Sequence, residues 1–439
     1  MAQQANLLEW KNGHGFRFTH DLFRFPGKFH PPLVERVLKS IDPIGVIDPM
    51  AGVGTVAVEA KAAGIPSLSL DIDPVSGFFT RVKTTPISTE VLEAAWRDLS
   101  RSLMRFRRSE NEIEERKFRD LRVDIMRTEL ARVHAEDLER LTYWFRRYAL
   151  VDYTRIDYSI NNGGLPGRSK LVRRFFLACL ISSIRRISLA DPSCVSGLEI
   201  TKHMKEKIER GYDIDVFGEF ERRAEVAIRR MGEYTSFLEN NGTYHTPAYF
   251  AQTDCKRLPE LRQPDGFRSD LIFFSPPYCN AIEYWRRHRL EYLLGRFLDE
   301  EGIIELKRKF VGRDVFGDAR PNPQPIGFGP IDGLVHDLQE EDRSHKAKLL
   351  WQYFDDMRTR LRVFHDYLPE GGHCILVVGD SQTGGRKIPT AKTLAWLGES
   401  VGFNHERTWR YKIKNRVMQF PIKPHPKILK ESILVLQKP

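Results

Sequence analysis

The chain has 439 residues, 41% hydrophobic and 29% charged, a balance that excludes an intrinsically disordered protein and leaves room for more than one compact core. Lys and Arg number 69 against 59 Asp and Glu, a net charge of +10. Such an excess suits a polyanionic partner, whose counterions basic side chains displace, and equally suits a solvated basic surface.

Five cysteines, Cys179, Cys194, Cys255, Cys279 and Cys374, are scattered without C-x-x-C spacing, which argues against a disulfide framework and against a structural metal. Residues 1–30 carry no basic-then-apolar signal pattern, and no apolar run approaches a membrane span. A reducing, cytoplasmic setting without a membrane partner is therefore expected.

In chain order, the first informative stretch is F-R-F-P-G-K-F-H-P-P at 23–32. Pro31 and Pro32 suit a first helical turn, and Leu33, Val34, Val37, Leu38 and Ile41 then recur at helical spacing. A short apolar run at 44–47 ends at Asp48 and meets the turn Pro49-Met50-Ala51-Gly52-Val53-Gly54-Thr55. An Ala-rich helix is expected at 56–63 with Gly64 as its cap, then a second strand at 67–70 ending at Asp71-Ile72-Asp73-Pro74. Strand, glycine turn, helix, strand, acid is the first half of a nucleotide-binding α/β sheet.

That rhythm stops near residue 80. Residues 88–240 read as helical and Arg-rich, and strand signals resume at 248–250, 271–274, 374–378 and 432–436. The expected organisation is one sheet domain in two halves, 1–84 and 241–439, interrupted by a helical insertion at 85–240, with a Gly/Pro-rich loop at 311–335 in the second half.

The glycines after the first strand let a ligand approach the backbone, and Asp71, about twenty residues on, sits where it can accept hydrogen bonds from ribose hydroxyls. No lysine follows the glycines and no G-x-x-x-x-G-K-[ST] occurs, so a ligand lacking a pyrophosphate fits better than a dinucleotide. S-adenosylmethionine is such a ligand.

A second signal is Asp270-Leu271-Ile272-Phe273-Phe274-Ser275-Pro276-Pro277-Tyr278. It puts a rigid, acceptor-rich turn at the carboxyl end of a buried strand. This turn resembles that of amino-methylating DNA methyltransferases, whose acceptor is a base amino group with its lone pair delocalised into the ring. Two acceptors, Ser275 Oγ and the Pro276 carbonyl, would hold both amino hydrogens and draw the nitrogen toward tetrahedral geometry for in-line attack. Pro276 and Pro277 fix the carbonyl direction, and Tyr278 can stack on a flipped base. Cytosine C5 chemistry needs a cysteine nucleophile, usually after a proline, and no Pro-Cys pair occurs; Cys279 reads as a packing residue.

D-P-M-A-G-V-G-T resembles the D-P-F-x-G-x-G-T cofactor motif of amino-methylating DNA methyltransferases, with Met50 in place of the usual Phe. S-P-P-Y resembles the catalytic motif of the N4-cytosine and N6-adenine enzymes, in which Ser at the first position leans toward cytosine. N-A-I-E-Y-W-R-R-H-R-L-E after it is similar to the same group. The resemblance implies a Rossmann-like fold and S-adenosylmethionine as cofactor. It implies contacts to that cofactor from Lys28, Phe29, Asp48, Met50, Ala51, Gly52, Gly54, Thr55 and Asp71, with Asp254 and Cys255 beside the adenine. It also implies duplex DNA as substrate and a cognate restriction or defence nuclease as an associated activity; oligomeric state stays open.

For the DNA, residues 163–190 contain Arg168, Lys170, Arg173, Arg174, Arg185 and Arg186 and no acid. Phe175, Phe176, Leu177, Leu180, Ile181 and Ile184 lie between them at helical spacing, so one face is expected to pack and the other to meet phosphate. Residues 412–430 repeat the theme with Lys412, Lys414, Arg416, Lys423, Lys427 and Lys430. Cofactor motif before catalytic motif is similar to the α and γ orders of this family, but a large insertion ahead of Asp254 matches neither well. Adenine N6 methylation, RNA base methylation and a non-catalytic DNA-binding protein on the same fold are the competing readings.

Overall fold

A computed structural model describes residues 17–25, 27–106, 135–194, 197–279, 284–311, 322–383, 385–412 and 430–439. The strands are β1 (Val46–Asp48), β2 (Ser67–Asp71), β3 (Ala248–Gln252), β4 (Leu271–Phe274), β5 (His373–Gly379), β6 (Ser381–Thr383), β7 (Arg386–Ile388), β8 (Asn404–Lys412) and β9 (Lys430–Gln437). Seven form one sheet in the order β3-β2-β1-β4-β5-β9-β8, and β6 with β7 makes a separate hairpin. The first five of the sheet run parallel, whereas β9 is antiparallel to both β5 and β8.

Burial on both faces explains the unbroken apolar runs. Alternate residues of the strands serve opposite cores. Val46, Leu271, Phe273, Ile375, Val377, Ile433 and Val435 join one, and Ile47, Ile272, Phe274, Leu376, Leu434 and Leu436 the other. The sheet order reverses between β1 and β4, so the crevice at their carboxyl ends is where such a sheet receives a ligand.

Helix α1 (Pro31–Ile41) opens on its two prolines and ends at Asp42 in the left-handed region, φ 52°. Helix α2 (Thr55–Ala62) follows the glycine turn, and α3 (Pro74–Thr84) follows β2, capped by Asp73, which accepts from the Val75 N–H at 2.8 Å. The segment between α3 and β3 is helical as expected, with α4 (Thr89–Met104), the Arg147–Asn162 and Lys170–Ser183 helices, and the 25-residue Val216–Asn240 helix. It is not a separate bead: Phe175, Phe176, Phe220 and Met231 share one continuous core with Val58, Phe79 and Val82 of α2 and α3. The Tyr234 hydroxyl also donates to the Val58 carbonyl at 3.2 Å.

Some elements differ from expectation. The Gly/Pro-rich stretch is not loop to residue 335, because a helix, Gly329–Glu340, starts inside it. Pro330 tolerates a first turn, and the Asp332 carboxylate accepts the Ile326 and Gly327 N–H groups at 2.8 and 2.9 Å. Strands β6, β7 and β8 are not expected from the sequence; for β8, N-H-E-R-T-W-R-Y-K has few apolar residues, being the sheet's edge.

Candidate active site

The cleft at the switch point is built from its turns upward. After β1 the chain bends through Gly52 (φ 49°) and Gly54 (φ 72°), both in the left-handed region that favours glycine. A Cβ at Gly52 would meet the Phe25 ring at 2.9 Å, and one at Gly54 would meet Thr80 at 2.7 Å. The buried Asp48 carboxylate accepts the Met50 N–H at 3.2 Å, and burial pushes its pKa well up.

Asp71, the last residue of β2, accepts the Gly52 N–H at 2.7 Å and the Asp73 N–H at 2.9 Å. Burial, reinforced by the neighbouring Asp73 charge, raises its pKa to about 7. The Thr253 N–H continues the sheet pairing onto the Asp71 carbonyl at 3.0 Å, which brings Asp254 alongside. Asp254 accepts the Lys256 N–H at 3.0 Å and faces the buried Arg360 guanidinium at 3.3 Å.

The S-P-P-Y turn closes the opposite wall. The Ser275 hydroxyl donates to the Val377 carbonyl of β5 at 2.9 Å, so its hydrogen is engaged and its lone pairs remain for a donor. Pro276 is buried, while Pro277 lines the cleft. The Tyr278 hydroxyl donates to Glu431 Oε1 at 2.5 Å, and Tyr411 donates to the other oxygen of the same carboxylate. Burial and the Glu431 charge push the Tyr278 pKa well up.

One cleft of about 840 Å³ open space gathers Lys28, Phe29, Met50, Ala51, Gly52, Thr55 and Asp71. Asp254, Cys255, Ser275 and Pro277 line it too. Asp48 and Gly54 shape the turn beneath without lining the cleft, and Tyr278 reaches away toward β9. The Lys28 amine donates to the His20 carbonyl at 2.9 Å, and burial lowers its pKa to about 8. Burial pushes the Cys255 and Cys279 thiols up to about 12, which suits packing and not nucleophilic attack.

Sequence reasoning missed a wall of rings, Phe25, Tyr284 and Phe310, stacked at 5.3 and 6.4 Å. It also missed Arg360, delivered by the Ser344–Tyr367 helix from 106 residues beyond Asp254. Proximity of that kind leaves no local signal.

The basic face of residues 163–190 is not uniform. Arg173 donates to the Asn161 and Leu165 carbonyls at 2.8 and 3.3 Å, and Arg185 to those of Asp191, Cys194 and Gly197 at 3.1, 3.3 and 2.8 Å. Both turn inward onto the protein's own backbone, contrary to the expectation that they face phosphate; Arg174 and Arg186 are exposed. Of the second basic run, Lys414, Arg416, Lys423 and Lys427 lie outside the described residues, as do Asn280, Ala281, Ile282 and Glu283.

The strand order and the cleft at its switch point define the Rossmann-like fold of S-adenosylmethionine-dependent methyltransferases, here with a large helical insertion. Over nearly its whole length the chain is homologous to Type II methyltransferases. It is similar to M.MvaI of Kocuria varians, 22% identical over 439 residues, covering 97% of this chain and 91% of that protein. M.AvaI of Nostoc sp. is 22% identical over 88% of this chain and 79% of its own, and M.MjaII of Methanocaldococcus jannaschii 23% over 67% and 66%. No protein-family model matches the chain. Among solved structures, TrmN from Thermus thermophilus is similar at 12% identity and a TM-score of 0.28, over 94% of this chain and 50% of that one, and supports no further argument.

Proposed function

We propose that this protein is an S-adenosylmethionine-dependent methyltransferase acting on an exocyclic amine of a base in duplex DNA, with N4 of cytosine as the acceptor. The observation that carries the reading is Ser275, which lines the same cleft as the glycine turn and Asp71 with its hydroxyl hydrogen already given to Val377. The cleft fits the cofactor. Asp71 supplies a carboxylate for ribose hydroxyls, the turn has no Cβ at Gly52, and Lys28 offers an amine to a carboxylate. That cofactor supplies an electrophilic methyl group.

The chain's own residues prepare the acceptor. Ser275 Oγ and the Pro276 carbonyl accept the two amino hydrogens and pull the nitrogen out of conjugation. A fixed acceptor pair needs no reorganisation during attack, and removing one preorganised polar partner of this kind costs about 100-fold or more in turnover. The relatives are named Type II methyltransferases; a cognate restriction or defence nuclease is part of the proposal.

Transfer from labelled cofactor to duplex DNA, followed by nucleoside analysis, tests this directly. N4-methylcytosine is expected from the wild type. Ser275→Ala should lose about 100-fold in turnover with cofactor affinity unchanged. N6-methyladenine would overturn the cytosine assignment while keeping the mechanism, and full activity in Ser275→Ala would overturn the role of the serine.

A further inference from the structure

We propose that the DNA backbone is held by the exposed arginines of two hubs beside the cleft, Arg24, Arg186 and Arg222. The inference rests on duplex DNA being the substrate. The first hub converges on backbone carbonyls. Arg24 donates to Pro192 at 3.0 Å, Arg287 to Cys194 at 2.9 Å, and Arg185 to Asp191, Cys194 and Gly197. The second converges on one carboxylate, Glu219, which faces Arg223 at 3.0 Å, Arg186 at 3.8 Å and Arg222.

Carbonyls orient a guanidinium without cancelling its charge. Among the described residues, Glu219 is shared three ways, Glu291 faces both Arg185 and Arg287, Glu199 faces Arg185, and Asp21 faces Arg223 while pairing with Arg230. Asp191 is already taken by the Ser193 and Thr201 hydroxyls, both at 2.6 Å. The group therefore repels itself: burial, then the charges of Arg185, Arg186 and Arg223, holds Arg24 below its ordinary pKa. A row of phosphates relieves that repulsion and releases its own counterions in doing so.

The placement is right for the task. Arg24 immediately precedes Phe25, and Arg287 shares the Tyr284–Arg287 helix with Tyr284; both rings line the cleft. A nucleotide turned into that cleft carries its flanking phosphates past this rim. Arg24, Arg186 and Arg222 are exposed, the last two with side chains 54% and 52% accessible.

Binding of the full chain to a fluorescein-labelled duplex across a salt series tests the surface. Combining Arg24→Gln, Arg186→Gln and Arg222→Gln should flatten the slope of log affinity against log salt by about 2–3, since each lost phosphate contact removes roughly 0.9. S-adenosylmethionine binding by calorimetry should be unchanged, which shows that the cleft still folds. Arg173→Gln should lower the thermal midpoint and leave the slope alone. A folded triple variant with the wild-type slope, or a slope flattened instead by Arg173→Gln, overturns the proposal. If the wild type shows no salt-dependent duplex binding at all, the DNA reading itself falls, and the hubs with it.

Discussion

Glu431 carries the hydroxyls of both Tyr278 and Tyr411, so the orientation of the S-P-P-Y ring depends on a residue in the last strand. A hydrogen bond to a charged group contributes about 1.5–3 kcal/mol. Tyr278→Phe and Glu431→Ala should each raise KM for duplex DNA roughly tenfold or more, an effect of that size, with cofactor affinity unchanged. Combined, they should be no worse than either alone; an additive loss would show that Glu431 acts elsewhere. In the proposed cofactor pocket, Asp71 and Lys28 would set the pH response. The Asp71 pKa is raised to about 7, and in the proposed site ribose hydroxyls would donate to its ionised form, so affinity should rise as pH increases through that value. Lys28, lowered to about 8, loses its charge above that value, so affinity falls again. Calorimetric titration with S-adenosylmethionine should therefore give a bell with its maximum between the two. Asp71→Asn should remove the acidic limb. A flat profile in the wild type would show that neither group contacts the ligand.

At the scale of elements, the Lys170–Ser183 helix joins the insertion to the sheet's helices. Phe175 is fully buried in the core that also contains Phe79 and Val82. Phe175→Ala should cost about 3–5 kcal/mol in urea unfolding, because the cavity adds to the lost transfer energy. A loss below 1 kcal/mol would mean the insertion packs loosely. The same helix shows why its basic face was only half legible. Arg173 and Arg174 are neighbours in sequence, but successive helical residues point about 100° apart. One guanidinium reaches back to Asn161 and Leu165 while the other stays in water. Composition reports charge without direction. The helix at Gly329–Glu340 was obscured for a related reason: Gly and Pro mark turns, yet Pro330 and Asp332 also start a helix.

For the whole molecule, one core runs from the glycine turn through α3 to the Val216–Asn240 helix. The insertion and the cofactor half of the sheet should unfold together, and far-UV circular dichroism and tryptophan fluorescence should give coincident transitions. Two separated transitions would show that the helical segment folds by itself. The sequence alone determined the features that are local. The glycine turn, the acid after β2, the buried strand before Ser275 and the strand periodicities are set by steric and hydrophobic rules acting over a few residues. Those rules left the α/β class, the cofactor turn and the S-P-P-Y turn in plain view. Tertiary structure alone decided what meets across the chain. It brought Ser275 onto Val377, Tyr278 onto Glu431, Asp254 onto Arg360 and Arg24 beside Pro192, separations of 102, 153, 106 and 168 residues. It also turned Arg173 and Arg185 inward. Contacts at that range come from the order in which strands pair and helices pack, which no short window of sequence records.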